Sequence, residues 1–354
     1  MMNAAATTLD IEATLGPETD EEDWQFCWDR LLEVSRTFSR PIAMLPGQLR
    51  VATTVGYLLC RIADTVEDHP TLSMERRDRL YQAFLDVMER NAAPETFTEP
   101  FSEIPGDSPE HHLAEELPRV LHVFDRLPAS MQETCRRWVV EMTRGMQLYS
   151  HRPTDDSDLV VLENLSDLER YCYFVAGTVG HLLTGLFLDH IDDISAADRN
   201  TMNDVAESFG LGLQLVNIVK DQTDDLERGW CFIPQTLAEH HGLQPTDVYK
   251  PEHRDKAHDV VQPIIDRAHD HLDDALEYTL AIPASEQSLR LFCLLPLWMA
   301  VRTLVHAEGN DQMFIADEPV KISRSEVESL IADAVEHVGD DEALRRRYQE
   351  LWEG

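Results

Sequence analysis

Apolar residues recur at intervals of three and four positions along almost the whole chain, the spacing that places them on one face of an α-helix. No segment shows a convincing strand pattern of alternating apolar and polar residues, and there is no internal repeat. Loop-forming stretches, most of them rich in Pro or acidic residues, interrupt the pattern at residues 91–109, 150–158, 229–234, 245–251 and 307–319. The pattern predicts an all-α protein of about ten or more helices.

The first twenty residues differ in composition from the rest of the chain. Residues 1–20 are small, polar and acidic, and we predict that they form a disordered N-terminus. No shift in composition divides the rest of the chain. We therefore expect a single helical domain over residues 21–354.

A polar stripe runs along an otherwise apolar helix in the segment VATTVGYLLCRIADTVED, residues 51–68. Asp64 and Asp68 are four residues apart, so on a helix their Cβ atoms lie about 5–6 Å from each other. Arg61 and Tyr57 precede Asp64 on the same stripe. Because burying such a stripe in an apolar core is costly, it indicates a polar cavity that contains cations.

A second stripe occurs in the segment LGLQLVNIVKDQTDD, residues 211–225. Gln214, Asn217, Asp221 and Asp225 fall on successive turns of a helix whose other faces are apolar. Two such helices facing each other would place four carboxylates around a cleft.

Carboxylates one helical turn apart suit magnesium, which keeps several waters and takes one or two carboxylates together with substrate phosphate oxygens. A metal held in this way would stabilise diphosphate as a leaving group in a dry apolar pocket. The same spacing is common in so acidic a chain, and it usually marks a solvated helix face. Asp266 and Asp270 share it amid Arg, His and further Asp residues, and we interpret that pair as surface.

The charge balance narrows the choice of partners. Sixty-six acidic residues against thirty basic ones give a net charge of −36, which excludes nucleic acid and argues against polybasic membrane binding. Only four lysines occur, at positions 220, 250, 256 and 321. Acidic surface with scarce lysine is typical of proteins from a high-salt cytoplasm.

The cysteines and the hydropathy profile predict a cytoplasmic protein. The six cysteines are dispersed without a Cys-x-x-Cys pair, so we expect reduced, buried thiols and no zinc site. The N-terminus lacks the basic and apolar regions of a secretory signal. No uninterrupted apolar run reaches the ~18 residues of a membrane span.

Several motifs in a fixed order resemble the squalene/phytoene synthase family over about residues 30–330. They are SRTF (35–38), RIADTVED (61–68), YCYFVAGTVG (171–180), NIVKDQTDDLERGWCFIP (217–234), LFCLLP (291–296) and VKISR (320–324). The resemblance implies the all-α isoprenoid synthase fold, with helices around a central cavity, and an enzyme that transfers prenyl groups.

The motifs DTVED, YCYFVAG and VKISR resemble the squalene-forming members more closely than the phytoene-forming ones, which carry a doubled aspartate where this chain has Ala63–Asp64. The resemblance implies that two farnesyl diphosphates condense to presqualene diphosphate, which is then reduced to squalene with NADPH or NADH. Eukaryotic members end in a membrane anchor, whereas this chain ends in EALRRRYQELWEG. We expect a monomer that contacts the membrane transiently to release its insoluble product.

The resemblance also implies a role for each motif residue. Binding of Mg²⁺, or of Mn²⁺ in its place, is implied for Asp64, Glu67, Asp68, Asp221 and Asp225. Diphosphate binding is implied for Ser35, Arg36, Arg61, Gln214, Asn217, Lys220 and Arg228. Binding of the nicotinamide cofactor is implied for Lys321 and Arg324, and proton handling for Tyr171.

Two alternatives to the squalene reaction stay open. One is a phytoene or dehydrosqualene synthase, which omits the reduction, and the other is a non-catalytic helical scaffold. At the level of residues, Tyr171 could instead be a packing aromatic, and core packing is the commoner fate of residues such as Phe38 and Phe292. The small residues Ala176, Gly177 and Gly180 would permit either close helix packing or a local break.

Overall fold

The computed structural model describes residues 9–35, 37–69, 72–154, 159–316 and 320–353, which form two compact units. The first unit comprises residues 1–151 and 181–193, and the second comprises residues 152–180 and 194–354. The prediction of an all-α fold is confirmed. A single domain over residues 21–354 stays a prediction, as does N-terminal disorder, although a short helix lies within the first twenty residues.

In the part of the first unit that the structure describes, nine helices precede residue 151. They are α1 (Ile11–Leu15), α2 (Glu21–Val34), α3 (Ser39–Met44), α4 (Gly47–Asp68), α5 (Met74–Met88), α6 (Glu95–Ser102), α7 (Pro109–Glu115), α8 (Leu117–Phe124) and α9 (Ala129–Ser150). Helix α11 (Thr178–His190) begins in the second unit and ends in the first.

The second unit holds the other helices and a short parallel strand pair. Its remaining helices are α10 (Leu165–Cys172), α12 (Ala196–Asp204), α13 (Ala206–Lys220), α14 (Gln222–Glu227), α15 (Gln235–His240), α16 (Arg254–Ala281), α17 (Gln287–Ala307), α18 (Arg324–His337) and α19 (Asp341–Glu353). The strands are β1 (Val160–Val161) and β2 (Trp230–Cys231). A π-helix spans Tyr173–Gly177, and 3₁₀ turns span Pro245–Tyr249, Pro251–His253 and Asp311–Phe314.

Many helices begin where the sequence provides a capping side chain. The side-chain oxygens of Asp10, Asp20, Ser73, Ser108, Asn164, Ser195 and Ser323 each accept a hydrogen bond from a backbone N–H in the first turn that follows. Such caps satisfy donors that have no partner within the helix. Local sequence therefore fixes these starting points.

Helix α4 is the core of the first unit and carries the first carboxylate motif. It packs against α2, α5, α7, α8 and α9, and its Leu58, Leu59 and Ile62 are fully buried. The apolar faces predicted around the polar stripe thus lie in the core. Because these faces are packed in the core, α4 is a rigid support for the polar stripe that it carries.

Helix α13 has the same place in the second unit, where it packs against α16, α17 and the π-helix. A Cβ atom at Gly180 would lie 2.0 Å from the carbonyl oxygen of Ala206, and one at Gly210 would lie 2.1 Å from that of Ala176. Only glycine permits such an approach. Close packing and a local π-helical turn therefore both occur at the motif where the sequence left the choice open.

The six cysteines are all buried, as predicted, and none is joined to another by a disulfide bond. Two described helical stretches, Leu165–His190 and Gln287–Ala307, are long and apolar enough to cross a membrane by length and composition. Helices in the core of a soluble protein pass the same test, and 50% and 72% of the two apolar windows are buried inside the protein. These stretches are therefore weak evidence for a membrane span.

Candidate active site

The first carboxylate cluster lies in the last two turns of α4 and consists of Asp64, Glu67 and Asp68, the last of which ends the helix. The Asp64 side chain is 27% exposed, and Asp68 is exposed. An Arg61 nitrogen lies 3.4 Å from the Asp64 carboxylate and another lies 3.6 Å from that of Glu110 on α7. Glu110 is a contact that the α4 pattern alone could not predict.

Burial and mutual repulsion make the ionised form of this cluster unfavourable. Burial raises the pKa of Asp64 to about 7, with Arg61 opposing the shift and the charge of Asp68 adding to it. Burial also raises the pKa of Glu67 well above its ordinary value, and the charges of Asp68 and Asp64 add to that shift. The Glu67 Oε1 atom is buried without a hydrogen-bond partner among the described residues. A bound cation would relieve both effects.

Arg77 on α5 secures the end of α4. Its Nε and Nη2 atoms donate hydrogen bonds to the carbonyl oxygens of Val66 and His69, at 3.1 and 3.3 Å. The guanidinium group thereby satisfies carbonyls at the helix C-terminus. Because these contacts fix the last turn, they also position Glu67 and Asp68.

The SRTF segment connects to the same stripe through Tyr57. The Tyr57 hydroxyl donates a hydrogen bond to the Val34 carbonyl oxygen at 3.4 Å and also hydrogen-bonds with Ser35. The Ser35 hydroxyl accepts a bond from the Phe38 N–H at 3.1 Å, and the Phe38 ring lies 6.1 Å from the Tyr57 ring. Arg36 lies outside the described residues.

The second carboxylate motif is interrupted, and its prediction as one continuous helix is wrong. Helix α13 ends at Lys220, Asp221 adopts φ −106° and ψ 19°, and α14 begins at Gln222. The i to i+4 pattern nevertheless continues across the break, because the Asp221 and Asp225 N–H groups donate to the carbonyls of Asn217 and Asp221. The two aspartates are therefore still about one turn apart.

Cations lie beside both aspartates of the second motif. The Lys220 ammonium contacts the Asp221 carboxylate, and Arg228 Nη1 lies 3.6 Å from Asp225 Oδ1. Burial raises the pKa of Asp225 to about 7, with Arg228 opposing the shift and Asp221 adding to it. Asp225 therefore resembles Asp64 as a largely buried carboxylate whose charge is only partly compensated.

The remaining predicted residues of α13 lie at the same end of the helix. Gln214 is half-buried and Asn217 is exposed, in the two turns that precede Asp221. Further along the chain, Lys321 and Arg324 are exposed just before and at the start of α18.

Tyr171 forms an aromatic cluster with Trp230 and Phe232. Its ring centroid lies 5.2 Å from Trp230 and 5.0 Å from Phe232, and those two rings are stacked 5.3 Å apart. Tyr171 and Phe232 are buried. Trp230 and Phe232 follow the second carboxylate motif in the chain, so the cluster connects the tyrosine motif with the segment after those carboxylates.

The backbone around Trp230 explains how this cluster is held. Gly229 adopts φ +87°, a left-handed conformation that favours glycine. Its carbonyl accepts a hydrogen bond from the Val160 N–H at 2.9 Å, next to the parallel pairing of β1 with β2. Sequence reasoning missed Trp230 and Phe232, although the GWCF segment after the carboxylates was a usable signal. Phe292, 2% exposed, is a core residue.

Within the described ranges, no three Asp, Glu, His or Cys side chains are grouped closely enough to form a metal centre by themselves. Magnesium, however, needs only one or two carboxylates when substrate oxygens and water complete its shell. The mutually repelling carboxylates of α4, two of them partly buried, and the Asp221–Asp225 pair fit that chemistry. That four carboxylates from the two motifs surround one cleft stays a prediction.

The chain is similar to known synthases along most of its length. The family model described as squalene/phytoene synthase matches residues 31–326. The squalene synthase of Rattus norvegicus is 31% identical over 313 residues, which cover 87% of this chain and 69% of that protein. The squalene synthase of Homo sapiens is 27% identical over 314 residues, with the same coverage.

The chain is also similar to solved structures. A ligand complex of TcSQS is 25% identical, with a TM-score of 0.77, and the match covers 94% of this chain and 92% of that one. A dehydrosqualene synthase is 19% identical, with a TM-score of 0.62 and coverage of 93% and 99%. The latter likeness concerns the fold alone.

Proposed function

The chain belongs to the squalene/phytoene synthase family of prenyl-transferring enzymes, and we propose that it condenses two farnesyl diphosphates head to head and reduces the presqualene diphosphate formed to squalene. The observation that carries the proposal is the pair of carboxylate motifs, each partly buried and each beside a cation. The similarity to squalene synthases from mammals supports the choice of product.

In this proposal the two carboxylate motifs hold Mg²⁺, or Mn²⁺, against the substrate diphosphate. The ligands would be Asp64, Glu67 and Asp68 from α4 and Asp221 and Asp225 from the second motif. The metal would supply the positive charge that stabilises diphosphate as it leaves. Ionised aspartates near a divalent cation have a lower pKa, so binding would bring Asp64 and Asp225 fully into their charged form.

The basic and polar side chains of the motifs would bind the phosphate oxygens directly. Arg61, Lys220 and Arg228 each contact a carboxylate of the motifs and would turn towards phosphate when it arrives. Lys220 provides a compact point charge rather than the planar fork of arginine. Ser35, Arg36, Gln214 and Asn217 complete the proposed set.

Tyr171 is the proposed proton-handling group of the first half-reaction. Its ring is buried against Trp230 and Phe232, which excludes water from that side of the tyrosine. Aromatic faces also attract positive charge. We propose that the three rings stabilise the allylic cation after diphosphate leaves, while the Tyr171 hydroxyl takes part in proton transfer.

The reductive step is assigned to the VKISR segment. Lys321 and Arg324 are exposed cations in a chain of net charge −36, and NADPH or NADH carries anionic phosphates that such cations attract. NADPH would supply the hydride that converts the ionised presqualene skeleton into squalene. We further propose a cytoplasmic monomer that contacts the membrane transiently, consistent with six buried cysteines that form no disulfide bond.

The test is an incubation of the purified protein with farnesyl diphosphate and Mg²⁺, with and without NADPH. We expect presqualene diphosphate to accumulate without NADPH and to convert to squalene when NADPH is added. Dehydrosqualene as the end product in both incubations, or phytoene from geranylgeranyl diphosphate, would assign the chain to the non-reducing branch. Absence of any condensation would support a scaffold role.

A further inference from the structure

The break between α13 and α14 is supported by the side chain of Gln222. This residue directly follows Asp221 and is 3% exposed. Its Nε2 donates a hydrogen bond to the Val219 carbonyl oxygen at 3.0 Å. Because carbonyls in the last turn of a helix lack intrahelical partners, the Gln222 amide stabilises the end of α13 next to Asp221.

The oxygen of the same Gln222 amide interacts with Tyr249. The Tyr249 hydroxyl lies 3.4 Å from Gln222 Oε1, to which it donates, and it comes from the Pro245–Tyr249 turn. Tyr249 lies more than twenty residues beyond Asp225 in the chain. With its nitrogen on Val219 and its oxygen on Tyr249, the Gln222 amide has one fixed orientation.

Tyr249 also contacts the strand that follows the motif. Burial raises the pKa of the Tyr249 hydroxyl well above its usual range, and the Cys231 thiol and the charge of Asp225 add to the shift. The hydroxyl hydrogen-bonds with Cys231 of β2, which is fully buried. One hydroxyl thus connects the start of α14 with β2, on either side of Asp225 in the chain.

We propose that Tyr249 is a positioning residue for Asp221 and Asp225, acting through Gln222 and Cys231 to hold the two carboxylates in the arrangement that binds metal and diphosphate. This inference rests on the proposed function and adds a residue outside the family motifs. Groups that orient metal ligands without touching the metal commonly contribute to metal affinity.

The variant Tyr249→Phe keeps the ring and removes only the hydroxyl. It leaves Gln222 Oε1 buried without its donor, so the junction becomes free to adopt other arrangements. We expect Mg²⁺-dependent affinity for diphosphate to fall about tenfold or more. We expect the KM for farnesyl diphosphate to rise more than kcat falls. Tyr348→Phe is the matched control, because its hydroxyl donates to Asp273 at 2.8 Å elsewhere in the same unit.

Binding is measured by calorimetric titration of the full-length protein with inorganic diphosphate in the presence of Mg²⁺, alongside the melting temperature. Weaker binding in Tyr249→Phe than in Tyr348→Phe, at similar melting temperatures, supports the inference. Equal binding in the two variants overturns it, as does a loss of binding that merely parallels a loss of thermal stability.

A double-mutant cycle provides a second criterion. Gln222→Leu removes the group through which Tyr249 acts, so the binding losses of Tyr249→Phe and Gln222→Leu should not add in the double variant. Additive losses would overturn the inference. Because calorimetry uses inorganic diphosphate, it also separates this inference from the proposed function: wild-type protein that binds diphosphate with Mg²⁺ but makes no squalene would contradict only the latter.

Discussion

The guanidinium group of Arg61 lies 3.4 Å from the carboxylate of Asp64, yet the pKa of Asp64 is still raised to about 7. Burial therefore outweighs this cation, which is shared with Glu110 at 3.6 Å. A carboxylate in this state is stabilised by a further positive charge close by. The relationship favours a metal-binding role over a structural ion pair.

Neutralising one carboxylate of either motif should abolish turnover. We expect Asp64→Asn and Asp221→Asn each to lower kcat at least about 100-fold, because an amide cannot compensate the charge of a metal ion. Helicity measured by circular dichroism should be unchanged. The matched control is Asp266→Asn, an exposed aspartate with the same helical spacing to Asp270. Activity near wild type in either motif variant would contradict the metal assignment.

Removal of the Tyr171 hydroxyl should block the first half-reaction. Tyr171→Phe keeps the ring contacts with Trp230 and Phe232, so we expect a folded protein. Its presqualene diphosphate formation should fall about 10²- to 10⁴-fold, the usual contribution of a positioned acid or base. Product analysis with Mg²⁺ and without NADPH isolates this step. If the rate changes by less than a factor of two, Tyr171 is a packing residue.

Loss of the basic VKISR residues should affect the reduction alone. Lys321→Ala and Arg324→Ala should each raise the KM for NADPH about fivefold, because exposed charges contribute up to about 1 kcal/mol. Presqualene diphosphate should then accumulate at low NADPH. Lys256→Ala, which removes another of the four lysines, is the control. If all three variants raise the KM for NADPH equally, the cofactor binds outside the VKISR segment.

Asp23 should make the first unit sensitive to acid. Burial raises the pKa of Asp23, but hydrogen bonds from Arg119 at 2.6 Å and His122 at 2.9 Å outweigh burial and lower it below its ordinary value of 3.8. Its ionised form therefore stabilises the fold above pH 3.8, and this stabilisation is lost as the pH falls through the lowered folded-state pKa.

The variant Asp23→Asn should lower the free energy of unfolding by about 1.5–3 kcal/mol at pH 6. The difference from wild type should shrink below pH 3.8. Urea unfolding across this pH range measures it, and the exposed Asp29→Asn on the same helix serves as the control. A difference that is independent of pH would show that packing, rather than charge, explains the effect.

Salt should stabilise the protein. The net charge is −36, so the excess carboxylates repel one another at low ionic strength. Dissolved salt screens this repulsion. We expect the melting temperature to rise between low and multimolar KCl. Sucrose at matched osmolality distinguishes screening from general exclusion of solutes. A melting temperature that does not change with KCl would contradict the hypothesis that the protein is adapted to high salt.

The sequence by itself determined the helical fold and the spacing of the predicted site residues within their helices, because both depend on local spacing. The apolar pattern predicts α4, and helix geometry then places Asp64 one turn from Asp68. The capping serines and aspartates mark where helices begin for the same reason. Each of these features depends on residues within a few positions of one another.

Only the tertiary structure decided what lies beside those residues. The break at Asp221, the π-helical turn after Cys172, and the contacts of Trp230 with Tyr171 and of Tyr249 with Gln222 all depend on segments distant in the chain. Local propensity cannot specify such features. They depend on how segments from different parts of the chain pack into the same buried volume and satisfy one another's hydrogen-bonding groups.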